Sequence, residues 1–188
     1  MINETKAFFG QYIKLLPQDE AYLVELMQVK QFDKKVILTQ LGDIETNVYF
    51  VFKGLLKKYF YSGKDEIVAH ISREGQLLTS ETSLFQNIPS KYILETIEPS
   101  TLIVFSKQGL ENLFSKDKRW ERAGRLLISD VLVRKEYWLL NHILYTPRER
   151  FFNYVREYPD LLNRVPQKLL ASHLNIKPET FSRLKQLI

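Results

Sequence analysis

Phe8, Tyr12 and Leu15 recur at helical spacing, and Tyr22, Leu23 and Leu26 resume it after Pro17. The first 26 residues therefore predict two short helices, the second starting at Pro17. From Val29 the texture changes to short β-branched and aromatic runs: FDKKVILTQ, NVYFVFKGLLKKYFYS, EIVAHIS, YILETIE and TLIVFS. Turn signals separate them, with GD at 42–43, SGKDE at 62–66, REG at 73–75 and EPS at 98–100. Five to eight short strands at this spacing predict a small antiparallel barrel or sandwich. One helix, Leu77 to Phe85, is expected to interrupt them.

After Ser106 the period returns to that of a helix. KQGLENLF reads as a short one. The stretch SKDKRWERAGRLLISDVLVRKEYWLLNHIL then runs 30 residues without proline. Trp120, Ala123, Leu127, Val131 and Trp138 form its apolar seam, which Arg134 interrupts. Such a seam predicts packing on the strands, on a second copy of the chain, or on both. Thr146 suits an N-cap and Pro147 a first helical position, so RERFFNYVREY should form the next helix, ending at Tyr158-Pro159-Asp160.

The closing stretch, QKLLASHLNIKPETFSRLKQLI, meets three separate requirements of two helices crossing over a tight turn. Ala171 is small where the helices approach. Leu170, Leu174, Ile176, Phe181 and Leu184 occupy the five places that point into a shared core. Asn175 tolerates the positive φ of the turn, and Pro178 stands where a helix can do without its N–H. The second helix carries Lys177, Glu179, Thr180, Ser182, Arg183 and Lys185 on or near its free surface. Arg suits guanine and Glu suits cytosine, while Thr, Ser and Lys suit phosphates. The plainer reading is a helical hairpin with a charged outside.

Charge alone leaves both readings open. Asp117 onward holds 14 Lys/Arg and 8 Asp/Glu, net +6, whereas residues 1–116 are net −1. That asymmetry points to a polyanionic partner for the C-terminal part. Cysteine is absent, which removes disulfides, thiolate metal sites and cysteine nucleophiles. Neither a signal peptide nor an apolar run of about 18 residues is seen, so a cytoplasmic location is expected.

The strand texture, the long helix and the closing stretch together resemble the Crp/Fnr family of bacterial transcription regulators over nearly the whole chain. PETFSRL and GQLLTSETSLF carry the likeness most strongly. The resemblance implies an α+β chain. Residues 1–116 would be N-terminal helices and an antiparallel β-barrel of cyclic nucleotide-binding (double-stranded β-helix) type. Residues 117–143 would be the long connecting and dimerisation helix, and 144–188 a helix-turn-helix DNA-binding domain. Glu179 and Arg183 fall where the family places base-contacting Glu and Arg. Pro178 stands where some members have a further Arg, so that contact is missing. The implied DNA-binding set is Gln167, Lys168, Lys177, Glu179, Thr180, Ser182, Arg183 and Lys185. The implied dimer seam is Trp120, Ala123, Leu127, Val131 and Trp138. Implied partners are double-stranded DNA, a second copy of the chain, RNA polymerase and a small-molecule effector.

Members that bind cyclic nucleotides resemble G-E-L-[AG]-L followed by R-[ST]-A. In these the Gly and backbone amides hold the phosphate, the Glu takes the ribose hydroxyl, and the Arg neutralises the phosphate. Here the segment is LLTSETSLFQNIPSKYILE. Glu81 matches the Glu, but Ser80 replaces the Gly that allows close approach. Lys91 stands near the Arg position, a point charge in place of a fork, and Tyr92 fills volume beside it. Glu81, Lys91 and Tyr92 are thus the candidate effector site, for an effector other than cyclic AMP or for none. No cofactor is expected. The bland alternatives are a solvated helix residue for Glu81 and a strand-edge charge for Lys91.

His70, His142 and His173 lie in three different elements without ligand spacing. His70 reads as a packed core residue, and His173 as within reach of a phosphate. A cupin-type metal enzyme would need more barrel ligands, and no nucleophile or phosphate-loop motif occurs, so the chain is not expected to be an enzyme. The rival reading is a small-molecule sensor whose helical tail serves dimerisation or protein binding.

Overall fold

The computed structural model describes residues 1–188. The apolar runs that do not alternate with polar residues form strands β3 (Asn47–Lys53) and β8 (Ser100–Ser106), which pair antiparallel with Val48 opposite Phe105 and Tyr49 opposite Val104. Successive side chains leave a strand on opposite faces, so a run that is apolar throughout must be covered on both. One face carries Val48, Phe50, Ile103 and Phe105. It packs against Phe8 and Phe9 of helix α1 (Ile2–Gly10), Leu23 and Leu26 of α2 (Asp19–Leu26), and Trp120. The other face carries Tyr49, Val51, Leu102 and Val104, in one cluster with Leu56 and Leu94.

The remaining strands are β1 (Gln28–Phe32), β2 (Ile37–Thr39), β4 (Leu56–Ser62), β5 (Asp65–Ser72), β6 (Leu77–Leu78) and β7 (Ile93–Thr96). They form two four-stranded sheets, ordered β1-β8-β3-β6 and β2-β7-β4-β5. The expected closed barrel is therefore corrected to two facing sheets with separate edges. No ladder joins the two sheets, and β6 is only two residues long. The helix expected over Leu77 to Phe85 is shorter. Leu77 and Leu78 pair with Phe50 and Tyr49, and α3 covers Glu81–Gln86 before Asn87 turns left-handed at φ 54°. The second N-terminal helix starts at Asp19 rather than Pro17. The Asp19 carboxylate accepts from Leu16 N at 2.7 Å and is gripped by Arg119 Nη1 at 2.8 Å.

The later helices are α4 (Lys107–Phe114), α5 (Lys118–Leu144), α6 (Pro147–Glu157), α7 (Leu161–Arg164), α8 (Gln167–His173) and α9 (Pro178–Lys185). Ser106 caps α4 through Gly109 N, and Asp117 caps α5 through Arg119 N. Two compact units divide the chain: residues 1–58 with 71–130, and residues 59–70 with 131–188.

The second unit is mainly helical. Thr146 and Glu149 form a reciprocal capping box at the start of α6, with Pro147 in the first turn. Phe151 of α6 and Phe181 of α9 meet edge to face at 5.1 Å, and both are fully buried. Burial of such side chains stabilises the unit by roughly 1.5–3 kcal/mol each.

Candidate functional site

Helices α8 and α9 form the last hairpin. Leu170, Ala171, Leu174, Ile176, Phe181 and Leu184 are all buried in it. Asn175 takes the left-handed conformation at φ 51°, and its amide closes the turn on Ser172 O at 3.0 Å. A buried cation braces this turn. Arg150, on α6, donates Nε to Leu174 O at 2.9 Å, Nη2 to Asn175 O at 2.8 Å and Nη1 to Tyr145 O at 2.7 Å. Three carbonyls at helix ends, which have no helical partner of their own, are satisfied by one planar fork. The sequence reading placed Arg150 on the RERFFNYVREY helix and gave it no role. Only its spacing one position before the buried Phe151 marks it.

With Phe181 and Leu184 anchored inward, α9 turns its other side to solvent. Lys177, Glu179, Ser182 and Arg183 are exposed, and Thr180 and Lys185 are partly so. Arg183 Nη2 lies 3.4 Å from Thr180 Oγ1. Gln167 and Lys168 are exposed at the start of α8. All eight predicted side chains are thus accessible on one hairpin.

Two neighbours on α8 are not. Ser172 Oγ donates to Glu66 O and accepts from Val68 N, both at 2.9 Å, tying α8 to the backbone of β5. His173 is buried, which corrects the expectation that it reaches a phosphate. It packs against the rings of Tyr154 at 5.7 Å, His70 at 6.3 Å and Trp138 at 6.5 Å, and its carbonyl meets His142 Nε2 at 3.3 Å. Its Nδ1 has no hydrogen-bond partner. Burial, with help from the two nearby imidazoles, pushes its pKa down to about 3. All three histidines of the chain therefore converge, although they are far apart in sequence. They do not form a cluster able to hold a metal ion.

The predicted dimer seam divides along α5. Trp120 and Ala123 are buried in their own unit, Trp120 against Phe9 at 5.3 Å with its indole N–H on Asp19. Contrary to the expectation from the sequence, these two do not face a partner copy, because the α1–α2 helices cover them. Leu127 is partly buried against the same core, and Val131 is partly exposed. Trp138 stacks on His142 at 4.0 Å. The face that is left uncovered carries Ile128, Leu132, Leu139 and Ile143, each more than half exposed. Their spacing of four, seven and four was readable in the sequence but was masked by the two tryptophans.

The predicted effector residues lie at the start of α3 and before β7. Glu81 pairs with Lys58 Nζ at 2.5 Å. Lys58 Nζ also donates to Thr79 O at 3.2 Å and lies 5.1 Å above the Tyr92 ring. Ser80 is buried and bonded through its hydroxyl to Ser90 Oγ at 2.8 Å, and Lys91 is exposed. Sequence reasoning missed Lys58. The signal was there in GLLKKYFYS, two consecutive lysines inside a strand, where one side chain must face each way. Lys57 is buried too, 3.5 Å from Glu95.

Residues 29–117 match the family described as the cyclic nucleotide-binding domain. The fold of this part of the chain is that of a cyclic nucleotide-binding domain. Solved structures extend the likeness of fold beyond it. FixK2 of Bradyrhizobium japonicum superposes with a TM-score of 0.73 at 16% identity, over 86% of this chain and 83% of that one. The c-di-GMP-responsive global regulator CLP of Xanthomonas campestris gives 0.68 at 16% identity over 89% of each chain. The catabolite activator protein of Thermus thermophilus gives 0.59 at 16% identity, over 96% of this chain and 85% of that one. No curated protein matches the sequence at a significant level.

Of the residues matched to a nucleotide site, Ser80 is bonded to Ser90 and Glu81 to Lys58, while Lys91 stands exposed.

Proposed function

We propose that this chain is a dimeric, sequence-specific DNA-binding transcription regulator of Crp/Fnr type. In this reading α8 and α9 are the helix-turn-helix and α9 is the recognition helix. The observation that carries it is the outward face of α9, where Glu179, Ser182 and Arg183 stand exposed while Phe181 and Leu184 fix the helix from behind. Arg183 addresses guanine, Glu179 accepts from cytosine, and Gln167, Lys168, Lys177, Thr180, Ser182 and Lys185 serve phosphates and register. The exposed stripe of Ile128, Leu132, Leu139 and Ile143 on α5 is the proposed dimer face, where Lys135 stands within the stripe. Two recognition helices then enter major grooves about one helical turn apart. The domains are a sensor-type 1–116, a linking helix 117–143 and a reading head 144–188. RNA polymerase is a further partner that this reading implies. No helix is long and apolar enough to cross a membrane, and the reading places the chain in the cytoplasm.

The test is capture of genomic DNA fragments by purified protein at moderate salt, beside Arg183→Ala. Enrichment of one two-fold-symmetric sequence by the wild type, lost in the variant, supports the reading. Equal and unselective capture by both rejects it in favour of a sensor whose helical tail serves dimerisation or protein binding.

A further inference from the structure

The fold of residues 29–117 is one that holds a small molecule, yet Glu81, the residue matched to a nucleotide-binding carboxylate, is held by a lysine of the chain itself. Lysine is seldom buried without a partner, and Lys58 has several from different elements. Glu81 comes from the first turn of α3, Thr79 O from the residue pair before it, and the Tyr92 ring from the approach to β7. Tyr92 is held in turn by Ser90, whose Oγ donates to Tyr92 O at 2.8 Å and accepts from Tyr92 N at 3.1 Å. The same Ser90 hydroxyl meets Ser80 at the head of α3. An ammonium has three donor directions. Among the groups that Lys58 meets are a carboxylate, a carbonyl and an aromatic face.

We propose that Lys58 is a resident cation that closes the pocket to cyclic nucleotides and fixes α3 without any ligand. The positive charge comes from inside the chain, and it engages Glu81, the residue matched to the carboxylate that takes a ribose hydroxyl. The position of α3 is then set by folding, not by an effector, and the protein works without a small-molecule switch at this pocket.

Full-length protein is titrated calorimetrically with cyclic AMP and cyclic GMP at millimolar concentration. No saturable heat, no change in melting temperature and no change in hydrogen exchange at the Leu84 and Asn87 amides are expected. Saturable binding with slowed exchange at α3 would overturn the proposal. A mutant cycle tests the lock itself. Glu81→Gln leaves a buried charge without its anion and should lower the melting temperature by roughly 5–15 °C. Lys58→Met with Glu81→Leu should recover most of that loss. Additive losses, or an unchanged Glu81→Gln protein, would sink it. A final arm rests on the DNA-binding reading: wild-type capture of DNA should be equal with and without cyclic nucleotide. Absence of capture in both would reject that reading while leaving the titration and the cycle to decide the lock.

Discussion

Both units bury a cation, and they satisfy it differently. In the first, Lys58 is met by Glu81 and Arg119 is met by Asp19 and Asp117. In the second, Arg150 is met by backbone carbonyls. A carboxylate partner can be protonated away, and a carbonyl cannot. The first kind of site therefore weakens in acid, while the second depends only on geometry. A fork that needs three carbonyls at once also records that α5, α8 and their turns are all in place, which suits a hairpin that must present a rigid face.

The largest test of this contrast is Arg150→Ala. Losing the fork leaves three helix-end carbonyls unpaired and should cost about 3–5 kcal/mol in chemical denaturation. Arg150→Lys should recover little, since one ammonium cannot reproduce the planar geometry. Near-complete rescue by lysine would show that charge, not shape, holds the turn.

Acid sharpens the comparison. His173 has its folded pKa at about 3, below its ordinary value in the unfolded chain. The unfolded state thus binds the proton first, so stability is complete above about pH 6.5 and falls by about 1.4 kcal/mol per unit below it. His173→Gln should flatten that slope between pH 6 and about pH 4. Asp19 acts lower on the scale: the Arg119 guanidinium holds its carboxyl below the usual range, against the opposing effect of burial. Its contribution is present above the unfolded value of about 3.9 and is lost as pH falls through the lower folded one. An Asp19→Asn protein should therefore be less stable at neutral pH and show a shallower decline in that last range. Arg150→Ala should leave both slopes as they are.

Smaller effects concern the surface. Leu132→Glu together with Leu139→Glu should convert a dimer to monomer in sedimentation without lowering the melting temperature of the helical unit. Arg183→Ala should remove about 1–3 kcal/mol of specific DNA binding, read by titration against the captured sequence. Lys168→Ala should change only the salt dependence, reducing its slope by about one.

The closing hairpin was legible because its demands are local. Small, apolar and turn residues stand at fixed offsets, and Leu170, Asn175 and Phe181 all do what those offsets require. The helix α4 and the capped start of α6 were readable for the same reason. What failed was non-local. Whether Trp120 faces a partner copy or Phe9 depends on a helix 111 residues earlier in the chain. Whether Leu77 starts a helix or closes a strand depends on Phe50. The Lys58–Glu81 pair and the three-histidine cluster arise from contacts that no periodicity encodes. Where the alternating pattern of a strand was interrupted by KK, the interruption itself was the clue.

The Lys58–Glu81 pair also has a consequence for descent. Exchanging Glu81 alone leaves the buried Lys58 ammonium without its anion, so the two positions should change together as such chains diverge. A lineage that replaced both would reopen the pocket in a single coupled step. Dependence on a small molecule would then be gained or lost abruptly, with no graded series of intermediates between the two conditions.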